Sequence, residues 1–169
     1  APKRAPREVP ASVGGAQTEA LPTLVHELIA VQTSEGLGEL DLELYPAFQT
    51  GGPRAWTGNP DAEHEFRVFG GDGSGGLLAF WLIHADRPLS EQPIVFLESE
   101  GDSSAIATDL VDLVAILAAG IGPFEMVSYG TTRGTPHAGL QALVDRHRPG
   151  RNAVEAILEA LDAYDDITE

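Results

Sequence analysis

Phe69-Gly70-Gly71-Asp72-Gly73-Ser74-Gly75-Gly76-Leu77-Leu78-Ala79-Phe80 is the stretch on which the fold turns. Before it, Glu65 to Phe69 reads as a short strand. After it, Leu77 to His84 is almost wholly apolar, as a central strand covered on both faces must be. Between them the run from Gly70 to Gly76 has the backbone freedom of a turn, so the segment predicts a hairpin with a wide glycine loop. Pro93 to Glu98 adds another apolar strand, reached through a loop around Pro88.

Outward from this hairpin the periodicity changes. Upstream, Leu24, Val25, Leu28 and Ile29 share one face of a helix over Pro22 to Gln32, with proline in its first turn. In Leu37 to Tyr45, Leu40, Leu42 and Leu44 alternate with Asp41 and Glu43, the pattern of a strand with one buried face. Residues 46–62, rich in Pro, Gly and Asn, read as a loop that carries Trp56. Downstream, Thr108 or Asp109 can cap a helix running to Ala119 and stopped by Gly120. Phe124 to Tyr129 reads as a short strand, and Pro136 to Arg146 and Asn152 to Tyr164 as helices. In the second of these, Asn152 is the N-cap and Glu155 lies three residues on. No internal repeat is visible. The pattern is α+β: a small mixed or mainly antiparallel sheet flanked by N- and C-terminal helices.

The 169 residues suit one domain. Within it, residues 1–20 read as a flexible basic arm, residues 21–122 as the α+β core, and residues 123–169 as a helical extension packed on the same domain. Asp and Glu number 26 against 10 Lys and Arg, a formal charge of −16. Lys3, Arg4 and Arg7 outnumber Glu8 and Glu19 in the arm, so the body is still more acidic than the whole. Such a surface repels phosphate backbones and anionic lipids, so neither nucleic acid nor membrane is the expected partner; a basic protein is. Cysteine is absent, which excludes disulfides, thiolate metal sites and cysteine nucleophiles and fits a reducing cytoplasm. Behind the N-terminal Ala1-Pro2-Lys3-Arg4 there is no apolar run of signal-peptide length, and no window approaches the continuous apolar length of a membrane span.

Few residues carry chemistry by themselves. Gly71 to Gly76 is similar to the nucleophile segment of trypsin-like proteases, but has an extra glycine and too little chain before Ser74 for the other triad members. It is not followed by the Gly-Lys-Ser/Thr of a phosphate-binding loop. His26-Glu27 and His64-Glu65 would each begin a zinc-binding H-E-x-x-H, yet Ala30 and Val68 stand where the second histidine belongs. The sequence therefore calls for no cofactor. Glu98, Glu100 and Asp102 are more informative, because residues two apart on an extended segment share a face. They are read as a solvated strand end, as an acidic protein-binding patch, or as carboxylates for a hard cation or for hydrolysis. From Asn152 to Glu169 the chain has six acids and no base.

The glycine hairpin Phe69 to Phe80, the strand Pro93-Ile94-Val95-Phe96-Leu97-Glu98-Ser99-Glu100-Gly101 and the strand-to-helix passage Ile106 to Val114 together resemble the SUKH superfamily. The resemblance covers residues 69–122 closely and residues 21–122 loosely, and residues 123–169 lie outside the usual core. It implies a non-enzymatic binding protein. Bacterial members are largely immunity proteins that neutralise toxin domains, many of them nucleases, and fungal relatives act through protein contacts. An acidic inhibitor would be steered to the basic cleft of a nuclease. The expected contact surface joins the glycine turn to the acidic strand end through Trp56, Asp72, Glu98, Glu100 and Asp102; Trp56 is included because exposed loop aromatics anchor interfaces. A SUKH-like interaction module with no toxin partner and a carboxylate-dependent hydrolase or metal-binding protein using Glu98, Glu100 and Asp102 are the alternatives.

Overall fold

The structure, a computed structural model, describes residues 20–37, 40–49, 65–99, 103–131 and 134–164. Among them, β1 (Leu42–Gln49), β2 (Phe66–Asp72), β3 (Leu77–Trp81), β4 (Ile94–Leu97) and β5 (Ser103–Ala107) form one sheet in sequence order. All four pairings are antiparallel. Helix α1 (Thr23–Ser34) precedes the sheet, and α2 (Leu110–Ala118), α3 (Pro123–Tyr129), α4 (Ala138–His147) and α5 (Ala153–Tyr164) follow it. This is the α+β class read from the sequence, with an antiparallel sheet.

The alternation of side chains along each strand sorts the sheet into two faces. Leu44, Phe69, Leu78, Phe80, Ile94, Phe96 and Ile106 join one core with Val25 and Leu28 of α1, the apolar residues of α2, and Leu140 and Val144 of α4. The rings of Phe69 and Phe80 stack there at 4.4 Å. Val68, Ala79, Val95, Leu97 and Ala105 face the other way and share a smaller cluster with Tyr164 of α5. That double burial explains the unbroken apolar reading of β3 and β4. The residues read as a C-terminal extension enter the main core as well: Ala153, Ala156 and Ile157 of α5 belong to it. Among the described residues no single helix is long and apolar enough to cross a membrane.

Three expectations are corrected. The glycine loop is tighter than read, because Gly70, Gly71 and Asp72 belong to β2 and the turn occupies only Gly73 to Gly76. The first strand starts at Leu42 and runs on through Pro46 to Gln49, instead of spanning Leu37 to Tyr45. Asp41 takes a left-handed backbone, φ 53°, that turns the chain; Leu40 and Leu44 still reach the core. Pro46 is tolerated because β1 is an edge strand with an irregular register between Leu44 and Gln49. Phe124 to Tyr129 is helix, not strand: Pro123 opens α3, Glu125 lies in its first turn, and Gly130 closes it with φ 65°. A short apolar run does not distinguish the two by periodicity, and here the flanking Pro and Gly decide.

Two side chains lock the frame. Gln32 at the end of α1 holds both backbone groups of Leu44, donating to its carbonyl at 3.1 Å and accepting from its N–H at 2.7 Å. Gln92, only 3% exposed, accepts from His84 N–H and donates to the carbonyls of His84 and Arg87. Its buried amide is thereby satisfied and ties down the β3–β4 connection.

Candidate functional site

The register brings one set of carboxylates to a single end of the sheet. Leu42 pairs with Asp72, Gly71 with Leu77, and Leu77 with Leu97, so the start of β1, the end of β2, the start of β3 and the end of β4 are adjacent. Asp41 and Glu43 are exposed there, and Asp72 and Glu98 are half-buried. The turn also touches the segment after β4: a Cβ built on Gly75 stands 3.3 Å from Ser99 Cβ. The structure thus gathers Asp72 and Glu98 as the sequence suggested, and adds Asp41 and Glu43. Those two read only as the polar half of an alternating strand, and their place beside Asp72 follows from β1–β2 pairing, which one strand's pattern does not reveal. Trp56, Glu100 and Asp102 lie outside the described residues.

Four of the described arginines are engaged elsewhere. Arg67 pairs with Phe80 and sits towards the opposite end of β2, where it donates to the Phe66 carbonyl. Arg146 is held by Glu27 at 2.7 Å. Arg148 and Arg151 are held by Asp109, Asp112 and Glu159. Tyr45 feels the sheet-end carboxylates: its phenol is pushed above its ordinary pKa, first by burial and then by the charges of Glu43 and Asp72.

Asp72 also builds the turn. Its Oδ1 accepts from Ser74 N–H at 3.0 Å, Ser74 Oγ at 2.7 Å and Gly76 N–H at 2.8 Å, while Oδ2 is buried without a hydrogen-bond partner. The Gly75 N–H closes onto the Asp72 carbonyl at 3.2 Å, with Gly75 at φ 94°. Gly76 has no room for a side chain, because a Cβ would enter the ring of Phe96. We expect Asp72→Ala to cost about 1–2 kcal/mol in urea denaturation, since three donors lose their acceptor. Asp72→Asn keeps an oxygen in the Oδ1 position and costs less than half of that. Equal losses for the two variants would show that the turn depends on the charge and not on the acceptor.

A second surface lies at the opposite end of the sheet. His84, Arg87, Thr108, Leu158, Glu159, Asp162, Ala163 and Tyr164 line an open concavity of about 520 Å³ between the β3–β4 connection, the end of β5 and α5. His84 Nε2 lies 3.4 Å from Tyr164 Oη. Burial, followed by the Arg87 charge, lowers the His84 pKa, and burial raises that of Tyr164. Both influences on His84 favour its neutral imidazole over the charged form. Nothing in the sequence pointed to this concavity, because its lining comes from segments far apart in the chain.

Among the described residues no group of three or more His, Cys, Asp or Glu side chains is placed to hold a metal ion. Exposed Asp41 and Glu43, with half-buried Asp72 and Glu98, concentrate acidic side chains at this end of the sheet, and such a concentration attracts positive charge. No family model, curated protein or solved structure matches this chain.

Proposed function

We propose that this protein binds a basic protein partner through the acidic sheet end, and that the partner is a toxin domain it neutralises, as the SUKH resemblance implies. The observation that carries the reading is the charge asymmetry: Asp41, Glu43, Asp72 and Glu98 meet at one end of the sheet, and the described arginines lie elsewhere or are already paired. The total charge of −16 adds a long-range field of the same sign. The glycine turn leading from β2 into β3 and the strand-to-helix passage from β5 into α2 are consistent with the resemblance. Sequence order adds Glu100 and Asp102 to the connection that leaves β4.

The test is capture on the immobilised chain from the cells that carry its gene, followed by kinetics on the purified partner. The expected partner has a pI above about 9, as a phosphate-binding cleft requires. Its association rate falls at least about tenfold from low to physiological salt. Glu43→Lys slows association while leaving dissociation nearly unchanged, the signature of a steering charge at the rim. Expressed alone, the partner arrests growth, and co-expression of this chain restores it. A neutral or acidic partner, or an association rate indifferent to salt, refutes the reading.

A further inference from the structure

Helix α5 exposes large apolar side chains on its outer face. Val154, Leu158 and Leu161 are 51%, 59% and 51% exposed, although Ala153, Ala156, Ile157, Ala160 and Tyr164 on the same helix are buried. Their spacing of four and then three residues is that of a helix-packing seam. Leu158 also forms part of the wall of the concavity that holds His84, Arg87 and Asp162, so seam and concavity are continuous. Along the flank run Glu155, Glu159 and Asp162, all exposed. Arg151 meets Glu159 at 2.6 Å and Glu155 only at 3.8 Å, and it is shared with Asp112. The chain continues with Asp165, Asp166 and Glu169 and adds no base.

We infer that this seam is a second docking surface, separate from the acidic sheet end, and that its occupant is a basic amphipathic helix of another protein. An apolar stripe with helical spacing accepts the apolar face of a helix. The carboxylate flank then selects lysine or arginine beside that face. A second copy of this chain fits poorly, because pairing two α5 helices would bring Glu155 and Asp162 of one copy close to those of the other, in molecules already carrying −16 each.

The probe is a synthetic amphipathic helical peptide with leucine at its seam positions and lysine on its flanks, compared with the same peptide carrying glutamate in place of lysine. Fluorescence anisotropy should show binding of the lysine peptide only. Leu158→Asp is the decisive variant. It adds a negative charge, so attraction by charge alone would hold the lysine peptide at least as tightly. Loss of the seam contact instead weakens binding by about tenfold or more. Val154→Asp, one turn earlier, repeats the loss, and both variants keep the wild-type melting temperature because the positions are exposed. Unchanged or tighter binding to Leu158→Asp overturns the inference. So does a wild-type dimer in sedimentation that Leu158→Asp dissociates, since the seam would then serve a second copy. Glu43→Lys, at the other end of the sheet, leaves peptide binding intact, which separates this result from failure of the proposed toxin-binding surface.

Discussion

Replacing Asp112 by Asn lowers the stability of this protein by about 3–5 kcal/mol, the cost of breaking a buried ion pair from one side. The melting temperature falls by on the order of 10 °C. Asp112 lies in the first turn of α2 and is fully buried, yet it carries a charge into the core. Its Oδ1 accepts from Arg148 Nη1 at 2.9 Å and Arg151 Nε at 2.8 Å, and its Oδ2 from Arg151 Nη2 and Thr108 Oγ1, both at 2.9 Å. Four donors converge on one carboxylate, and the guanidinium of Arg151 grips it in bidentate fashion. An amide offers one oxygen to these donors and turns its NH₂ towards them. The Arg151 guanidinium, whose pKa the Asp112 hydrogen bonds raise most, is left 13% exposed and half-paired, with only Glu159 and the more distant Glu155 in reach.

The two arginines are not equivalent. Arg148 is 41% exposed and keeps a second anchor in Asp109 at 2.8 Å, so Arg148→Met costs less than Arg151→Met. Removing the whole cluster at once, with Asp112→Leu, Arg148→Met and Arg151→Met, should be less harmful than Asp112→Asn alone, because no buried charge then remains unpaired. Urea midpoints of the four variants check the order. A loss under about 1 kcal/mol for Asp112→Asn would mean that water reaches the cluster and solvates Arg151 in its place. The clamp also fixes α5, since Arg151 lies just before its N-cap Asn152 and Glu159 sits on it. The docking seam on α5 therefore depends on a carboxylate in α2 that touches no partner.

What the sequence made legible, and what it did not, follows the reach of each interaction. The hairpin from Phe69 to Phe80 was readable because turn chemistry and strand alternation are local. So were the caps: Asp109 accepts from Asp112 N–H, and Asn152 from Glu155 N–H, as their positions suggested. The helix over Phe124 to Tyr129 was misread because six residues show less than two helical turns of periodicity, and Pro123 and Gly130 carried the only signal. At the candidate site, Asp72 is legible from its place in the glycine turn and Glu98 from its two-residue spacing with Glu100 on an extended segment. Asp41 and Glu43 join them only through pairing of β1 with β2, across the long connection between those strands. The Asp112 clamp was missed for the same reason. A lone acid at the N-terminal end of an apolar helix reads as a favourable first-turn charge. Only the tertiary fold brings Arg148 and Arg151 to it from dozens of residues away.

Gly120 shows the same limit in a single residue and leads to the second large effect: Gly120→Ala costs about 3–5 kcal/mol, of which strain from a left-handed backbone supplies only about 1–2. The sequence marked this glycine as the stop of α2, and it does adopt φ 86°, with its N–H on the Leu117 carbonyl at 2.9 Å. Its second role appears only when the chain returns. Gly134 N–H donates to Ala119 O at 3.1 Å and His137 N–H to Ala118 O at 2.8 Å, so the segment before α4 satisfies the last carbonyls of α2. A Cβ on Gly120 would be driven into the backbone N and O of Thr135, and rigid backbone does not yield as a side-chain tip does. Moving that segment displaces His137, which caps α4 through Leu140 N–H and reaches the Gly36 carbonyl at 2.8 Å. Gly150→Ala is the matched control. Gly150 has nearly the same backbone, φ 85°, and a Cβ there meets nothing within 4 Å. It should lose only the strain, about 1–2 kcal/mol. Urea denaturation of both variants separates the contributions. If Gly120→Ala and Gly150→Ala lose the same stability, the return of residues 134–137 onto α2 is looser than the structure describes, and backbone strain alone accounts for the glycine.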